Sequence, residues 1–134
     1  MRVTTTFKDD YEFQSVNEEG NVLDIDMYSS DKKKQMSPTQ LLLSSLAACA
    51  SVDLVQMLKK RKKTVNGLTV VADGTRRDEH PRGFTHITLI FTVESPDVTE
   101  DEFEKMGHLA ATKYCSVAGS LSAEVDHKFI VNRA

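Results

Sequence analysis

The stretch from Ser37 to Lys63 constrains the fold most strongly, because it predicts a single helix of unusual length. Ser37 is a favourable N-cap residue, and Gln40 stands three residues later, as in a capping box. Pro38 occupies the first helical position, where its missing N–H is not needed. The basic residues at the end of the stretch suit the negative pole of the helix dipole, and Asn66-Gly67 is expected to stop the helix.

The composition of this helix predicts that it is buried on all sides. No charged residue occurs from Met36 to Val52, and no face of this stretch is clearly polar. At ~1.5 Å per residue the helix is ~40 Å long, whereas a folded chain of this size has a radius of gyration of only ~14 Å. We therefore expect a second copy of the chain to help cover the helix in a symmetric homodimer. A membrane span is not expected, because serines interrupt the apolar run and Asp53 follows it.

The rest of the chain predicts short strands and two further helices, within a single α+β domain of residues 1–134. The predicted strands are Val3–Phe7, Tyr11–Val16, Val22–Met27, Leu68–Arg76, Phe84–Glu94 and a closing strand around Val125–Val131, and the helices run from Thr99 to about Lys113 and from Cys115 to Ala123. In the third strand, Leu23, Ile25 and Met27 alternate with two aspartates, which predicts an antiparallel meander with one solvated face. The order of elements indicates antiparallel sheets packed on the long helix.

Charge and cysteine content narrow the class of protein further. The chain has 17 Lys+Arg and 20 Asp+Glu, so its net charge of −3 does not indicate a nucleic acid or an anionic membrane as a partner. The first ten residues have no apolar core or cleavage site of a secretory signal, so a cytoplasmic location is expected. In such a reducing compartment, the two cysteines are expected to be thiols.

The two cysteines are the main candidates for chemistry. Cys49 lies inside the long helix, where it is either a small packing residue or part of a pocket, because Ser45, Asp53 and Gln56 share its helical stripe. Cys115 precedes a predicted short helix, whose first amides would lower the pKa of its thiol. Asp53 would instead raise the pKa of the Cys49 thiol. Local reasoning therefore predicts that Cys115 is the more reactive thiol.

Spacing leaves several kinds of site open. The cysteines are 66 positions apart and form no C-x-x-C motif, so no zinc site, metal site or other cofactor is predicted. They are either inert or a redox pair. None of the four histidines has ligand spacing, but a Cys–His acyl-transfer site remains open. Three arginines flank the loop between the later strands: Arg76, Arg77 and Arg82. They are either ordinary surface charges or, if the loop reaches over a cysteine, groups that stabilise its thiolate.

Two segments carry a resemblance to a known family. The pair SPTQLLLSSLAACA and KYCSVAGSL resembles the two cysteine motifs of the OsmC/Ohr family, the osmotically inducible and organic-hydroperoxide-resistance proteins. The segment RRDEHPRGFTHITLIF is most similar to the YhfA-type branch of that family. The resemblance covers essentially the whole chain.

The resemblance implies an OsmC-like fold in an intertwined homodimer, with the site at the subunit interface. It also implies that Cys49 is the peroxidatic cysteine and Cys115 the resolving one, which reverses the order expected from local reasoning. The chain departs from the family at three points. Thr39, a candidate binding residue together with Ser45 and Asp53, stands where relatives have an acidic residue. No arginine occupies the early-strand position at which relatives have one, and Ser116 replaces a frequent proline.

Three hypotheses follow for the function. The first is a two-cysteine peroxidase that reduces small apolar hydroperoxides and is itself reduced by an external dithiol. The second is a non-catalytic stress-response or ligand-binding protein, which the missing acidic residue and arginine favour. The third is a cysteine hydrolase, which needs a histidine beside Cys49.

Overall fold

The computed structural model describes every residue from Met1 to Ala134, and the chain divides into two units, residues 1–42 and residues 43–134. Its elements are β1 (Val3–Asp9), β2 (Glu12–Asn17), β3 (Val22–Asp26), α1 (Pro38–Lys60), β4 (Gly67–Arg76), β5 (Phe84–Glu94), α2 (Glu100–Leu109) and β6 (Glu124–Asn132). A π-helical segment, Ala110–Tyr114, and a 3₁₀ turn, Ala118–Ser120, lie between α2 and β6. The predicted α+β class is confirmed.

The first unit is a three-stranded antiparallel sheet in the order β1-β2-β3, as predicted from the alternating pattern. Its side chains leave much apolar surface in contact with solvent. Val3 and Phe7 on β1 are each 60% exposed, and Leu23 on β3 is 48% exposed. The protomer itself therefore does not bury the apolar face of this sheet.

Asp26, at the end of β3, departs from the predicted solvated face of that strand, because its side chain is completely buried. The carboxylate accepts hydrogen bonds from Lys33 Nζ at 2.6 Å and from the backbone N–H groups of Lys34 at 2.8 Å and Gln35 at 2.7 Å. Burial alone would raise the pKa of this carboxyl, but these donors lower it to about 2. The charged residue is therefore the anchor of the loop that leads to α1.

Helix α1 begins as predicted, because Ser37 Oγ accepts from the Gln40 N–H at 3.2 Å and Gln40 Oε1 accepts from the Ser37 N–H at 2.9 Å. It ends at Lys60, three residues earlier than predicted and before Asn66-Gly67 is reached. The end is a Schellman turn, in which Lys62 adopts a positive φ of 61° and the Lys63 N–H bonds to the Leu58 carbonyl.

Burial of α1 within the protomer is confined to one stripe, formed by Leu46, Ala50, Leu54 and Leu58, each with no exposed surface. The protomer alone does not bury the helix on all sides, since Val52 is 56% exposed. By length and composition alone, with a mean hydropathy of 1.8, α1 could also cross a membrane. Central helices of globular proteins satisfy the same two criteria, so these criteria are weak evidence for a membrane span. The second copy expected to cover α1 stays a prediction.

The second unit contains the sheet β4-β5-β6. Strands β4 and β5 form the predicted antiparallel hairpin, but β6 runs parallel to β5, so the sheet is mixed where an antiparallel sheet was expected. The reason is the connection from β5 to β6, which passes through α2 and returns to the starting edge, as parallel pairing requires. The buried side of β5, with Ile87, Leu89, Phe91 and Val93, forms the core with the buried stripe of α1.

The connection from β5 to β6 positions the second cysteine. Helix α2 begins with the predicted capping box, in which Thr99 Oγ1 accepts from the Glu102 N–H. The predicted helix from Cys115 to Ala123 is wrong except for the 3₁₀ turn at Ala118–Ser120. Cys115 itself is extended, with φ −79° and ψ 104°, directly after the π-helical segment. The backbone amides after Cys115 are therefore not used up in a regular helix.

Candidate functional site

The structure brings the two cysteines together as free thiols. The Cys115 thiol and the backbone N–H groups of Val117 and Ser116 lie beside Cys49 Sγ and favour its thiolate form. Cys115 Sγ accepts a hydrogen bond from the Ala118 N–H at 3.4 Å. Three consecutive amides after Cys115 thus lie beside two sulfur atoms that are 66 positions apart in the sequence.

The groups beside each sulfur favour ionisation of one thiol over the other. The Val117 amide is the strongest influence on Cys49, and together with the Cys115 thiol and the Ser116 amide it lowers the pKa of the Cys49 thiol below its usual value. Burial and the charge of Asp53 act in the opposite direction and are outweighed. Cys49 is therefore the better thiolate of the pair.

Cys115 has the opposite balance. Its side chain is only 4% exposed, and this burial raises the pKa of its thiol despite the hydrogen bond from the Ala118 amide. The neighbouring Cys49 raises the pKa further. The expectation that Cys115 is the more acidic thiol is therefore wrong, because the amides expected to serve Cys115 mainly serve Cys49.

Three further residues of α1 were predicted to take part in binding: Thr39, Ser45 and Asp53. Asp53, one turn after Cys49, is partly buried and acts on the thiol only through its charge. Ser45, one turn before, lies on the exposed side of the helix. Thr39 lies in the first turn of α1, with its hydroxyl 3.3 Å from Ser37 Oγ. A role for Thr39, Ser45 or Asp53 in binding stays a prediction.

The three arginines at the end of β4 and in the loop to β5 are exposed and donate to carbonyls of this same segment. Arg76 Nε donates to the Arg82 carbonyl at 2.8 Å, Arg82 Nε donates to the Arg77 carbonyl at 3.1 Å, and Arg77 donates to the Pro81 carbonyl. None of these guanidinium groups is among the groups that set the pKa of Cys49. Their stabilisation of a thiolate stays a prediction, which depends on a second protomer.

A cavity of about 260 Å³ lies beside the segment that carries Cys115. Its wall includes residues on both sides of that cysteine, Ala111 and Thr112 before it and Ala118 and Gly119 after it, with Leu46 of α1 and His127 of β6. The cavity differs from the predicted pocket, since neither Ser45 nor Asp53 lines it.

The histidines do not form a pair with either cysteine. His127 packs edge-to-face on His108, with ring centroids 5.1 Å apart, and burial together with that neighbour lowers the pKa of His127. His86 binds Asp126 on the solvent side of the sheet at 2.9 Å. No His/Cys/Asp/Glu group in the chain is arranged to hold a metal ion.

Sequence reasoning assigned the amides after Cys115 to that cysteine and not to Cys49, and it missed the cavity beside this segment. A signal was present, because the segment after Cys115 is rich in glycine, serine and alanine, and such residues permit an irregular backbone with unpaired N–H groups.

Comparison with known proteins places the chain in a family. Residues 30–129 match the model of the OsmC family, described as OsmC-like protein. Protein YhfA of Escherichia coli strain K12 is 36% identical over 107 residues, which cover 80% of this chain and 78% of that protein.

Two solved structures share the fold. The OsmC-like protein of Mycoplasma pneumoniae aligns with a TM-score of 0.84 and 20% identity over 97% of this chain and 95% of that chain. An organic hydroperoxide resistance protein of Legionella pneumophila aligns with a TM-score of 0.68 and 15% identity over 98% of this chain and 97% of that chain. The family match and the identity to YhfA together establish that this chain belongs to the OsmC-like family.

Proposed function

We propose that the chain is a thiol-dependent peroxidase that reduces small organic hydroperoxides through Cys49 and Cys115 in oxidative-stress defence. The observation that carries the proposal is the pair of neighbouring free thiols, in which nearby amides lower the pKa of Cys49 and burial raises the pKa of Cys115. A peroxidase of this type needs one thiolate as nucleophile and a second thiol, still protonated, beside it. The fold shared with an organic hydroperoxide resistance protein supports the same class of reaction.

The reaction begins with the Cys49 thiolate, which attacks the terminal oxygen of the hydroperoxide. The O–O bond breaks, and the terminal OH group is transferred to Cys49, which becomes a sulfenic acid. The alkoxide takes up the proton that the Cys49 thiol released and leaves as the alcohol. The Cys115 thiol then attacks the Cys49 sulfur, which releases water and forms the disulfide. An external dithiol reduces this disulfide and returns both thiols.

The surroundings of the pair favour an apolar substrate. Cys49 packs against the buried hydrophobic cluster that includes Leu46 and Ala50 on the same helix. An alkyl or aryl group gains free energy by leaving water next to such side chains, whereas hydrogen peroxide has no apolar surface to bury. A homodimer would enclose the substrate further by covering the exposed side of α1.

A second candidate is a stress-response or ligand-binding protein without peroxidase activity. The arginine loop favours it, because Arg76, Arg77 and Arg82 donate to their own loop and not to a thiolate. The hydrolase hypothesis has less support, since no histidine is among the groups that set the pKa of Cys49.

The two candidates differ in the fate of the thiols after one equivalent of cumene hydroperoxide. The peroxidase yields a peptide pair linked through Cys49 and Cys115 in the mass spectrum, and the non-catalytic protein yields two unmodified cysteines. Cys49→Ser is expected to abolish peroxide consumption. Cys115→Ser, the matched variant, is expected to complete one turnover and leave a sulfenic acid that dimedone traps. Equal peroxide consumption by Cys49→Ser and the unaltered protein would refute the proposal.

A further inference from the structure

A cleft of about 440 Å³ lies at one end of the first sheet, within residues 1–42. Its wall includes Asp10 and Tyr11 of the turn between β1 and β2, Met27 and Tyr28 directly after β3, and Lys32 of the following loop. Small-molecule sites have volumes of ~300–1,000 Å³, so this cleft suits a small ligand. Neither cysteine belongs to this unit, so the cleft is independent of the proposed peroxidase reaction.

Backbone hydrogen bonds hold the wall of the cleft in place. The Met27 N–H donates to the Tyr11 carbonyl at 3.1 Å, which joins the two sides of the cleft. The Lys32 N–H donates to the Ser29 carbonyl at 2.9 Å. Asp10 has a positive φ of 49°, a conformation that aspartate adopts more readily than most residues. The positions of these residues are therefore set by the main chain, and their side chains are left for contacts with a ligand.

The two tyrosines form an aromatic corner. Their ring centroids are 5.7 Å apart and their planes lie at 79° to each other. The Tyr28 hydroxyl donates to Glu12 Oε2 at 2.6 Å, and this bond raises the pKa of Tyr28 to about 12, so the ring remains an uncharged phenol. Donation to a carboxylate also polarises the phenol. Since Tyr11 is 57% exposed and Met27 is 51% exposed, the corner offers a π-face and apolar surface to a cation.

Two charges of opposite sign line the same cleft. The side chains of Asp10 and Lys32 form no ion pair or hydrogen bond with another residue of the chain. A ligand with both charges can therefore pair with each of them. A primary ammonium is strongly hydrated and would lose that water beside two rings and Met27. A methylated ammonium instead presents methyl groups to these side chains and keeps its positive charge.

We propose that this cleft binds a small zwitterion that carries a methylated ammonium group and a carboxylate. The methylated ammonium lies in the corner of Tyr11 and Tyr28, beside Asp10, and its methyl groups contact Met27. The carboxylate pairs with Lys32. Because both protein charges are exposed, each ion pair contributes little, and a weak and rapidly reversible complex is expected.

The direct test compares three ligands in amide NMR titrations of the full chain. Glycine betaine carries both charges, 3,3-dimethylbutanoate is its carbon isostere without the positive charge, and choline lacks the carboxylate. Glycine betaine is expected to shift the amide signals of Tyr11 and Tyr28 saturably. It is expected to bind roughly fivefold more tightly than the isostere and roughly threefold more tightly than choline.

Each of the other results of these titrations would overturn the inference. Equal affinity for glycine betaine and the isostere would show that the tyrosines do not recognise the positive charge. Equal affinity for glycine betaine and choline would show that Lys32 does not recognise a carboxylate. Shifts at Tyr11 and Tyr28 that do not saturate would show that the cleft is not a binding site.

Two variants test the assigned contacts. Tyr11→Leu keeps an apolar side chain but removes one aromatic face, so it is expected to lower the affinity for glycine betaine roughly fivefold and to leave that for 3,3-dimethylbutanoate unchanged. Tyr114→Leu, at a tyrosine outside the cleft that is 48% exposed, is the matched control. Lys32→Gln is expected to lower the affinity for glycine betaine roughly threefold and not to lower that for choline, with Lys8→Gln as its control. A Tyr11→Leu or Lys32→Gln variant that binds glycine betaine as tightly as its control would overturn the inference.

Discussion

Replacement of Cys115 by alanine tests the hydrogen bond that makes Cys49 acidic. In the native protein the Cys115 thiol donates to the Cys49 sulfur, and Cys115→Ala removes this donor while it leaves the Val117 and Ser116 amides in place. A hydrogen bond to a charged group contributes ~1.5–3 kcal/mol, and 1.36 kcal/mol corresponds to about one pKa unit. A thiol is a weak donor, so the lower limit applies, and the pKa of Cys49 is expected to rise by about one unit.

The assay is the rate of iodoacetamide alkylation of the single remaining thiol as a function of pH, since only the thiolate reacts. The midpoint of the rate profile gives the pKa of Cys49. Cys115→Ser keeps a hydrogen-bond donor at nearly the same place and serves as the matched control, with a smaller expected rise. A midpoint in Cys115→Ala that is equal to or below that of Cys115→Ser would refute the reasoning, because the donor would then contribute nothing to the ionisation of Cys49.

Two further predictions concern packing and acid stability. A Cβ at Gly107 would lie 2.0 Å from Cε1 of Phe129, so Gly107→Ala is expected to lower the free energy of unfolding by ~1–3 kcal/mol in urea titrations. Adding Phe129→Leu to that variant should recover part of the loss. A Gly107→Ala variant as stable as the unaltered protein would show that α2 and β6 do not pack as described. The carboxyl of Asp26 has a folded pKa of about 2 against an ordinary 3.8, so its stabilisation is present above pH 4 and is lost as the pH falls from about 4 towards 2. Asp26→Asn should remove that part of the acid dependence, and an unaltered pH profile of unfolding would contradict the role given to Lys33 and the loop amides.

Local sequence signals predicted the elements whose causes are local. The capping boxes at Ser37 and Thr99 are formed by residues three positions apart, and both are present in the structure. The strands of the hairpin were predicted to within one residue, because alternation along Phe84–Glu94 directly reflects the two faces of a strand. The start of the long helix was predicted from the capping box of Ser37 and Gln40.

Features that depend on residues distant in the sequence were not predicted. The burial of Asp26 depends on Lys33 and on loop amides that no periodic pattern reveals. The order of acidity of the thiols was predicted in reverse, because the amides after Cys115 were assigned to the nearest sulfur in sequence and bond to Cys49 across the fold. The family resemblance implies that Cys49 is the peroxidatic cysteine, which agrees with the lowered pKa of its thiol, and the roles of the two cysteines stay a prediction.

The exposed apolar surface of α1 and of the first sheet leaves one expectation for the assembly. Val52, Phe7 and Val3 are each more than half exposed in the protomer, which is unfavourable for a monomer in water. We expect a homodimer that covers these residues. Light scattering coupled to size exclusion would show twice the chain mass of 15.0 kDa, and a monodisperse monomer would remove the enclosed substrate site from the account.

The central claim, that Cys49 and Cys115 act as one redox pair, is tested most directly by counting thiols. One equivalent of cumene hydroperoxide is added to the fully reduced protein, and free thiols are titrated under denaturing conditions while the alcohol product is measured. Two thiols lost for each molecule of alcohol formed is the expected result. If both thiols persist after the peroxide has been added, or if thiols are lost without formation of the alcohol, the account is contradicted.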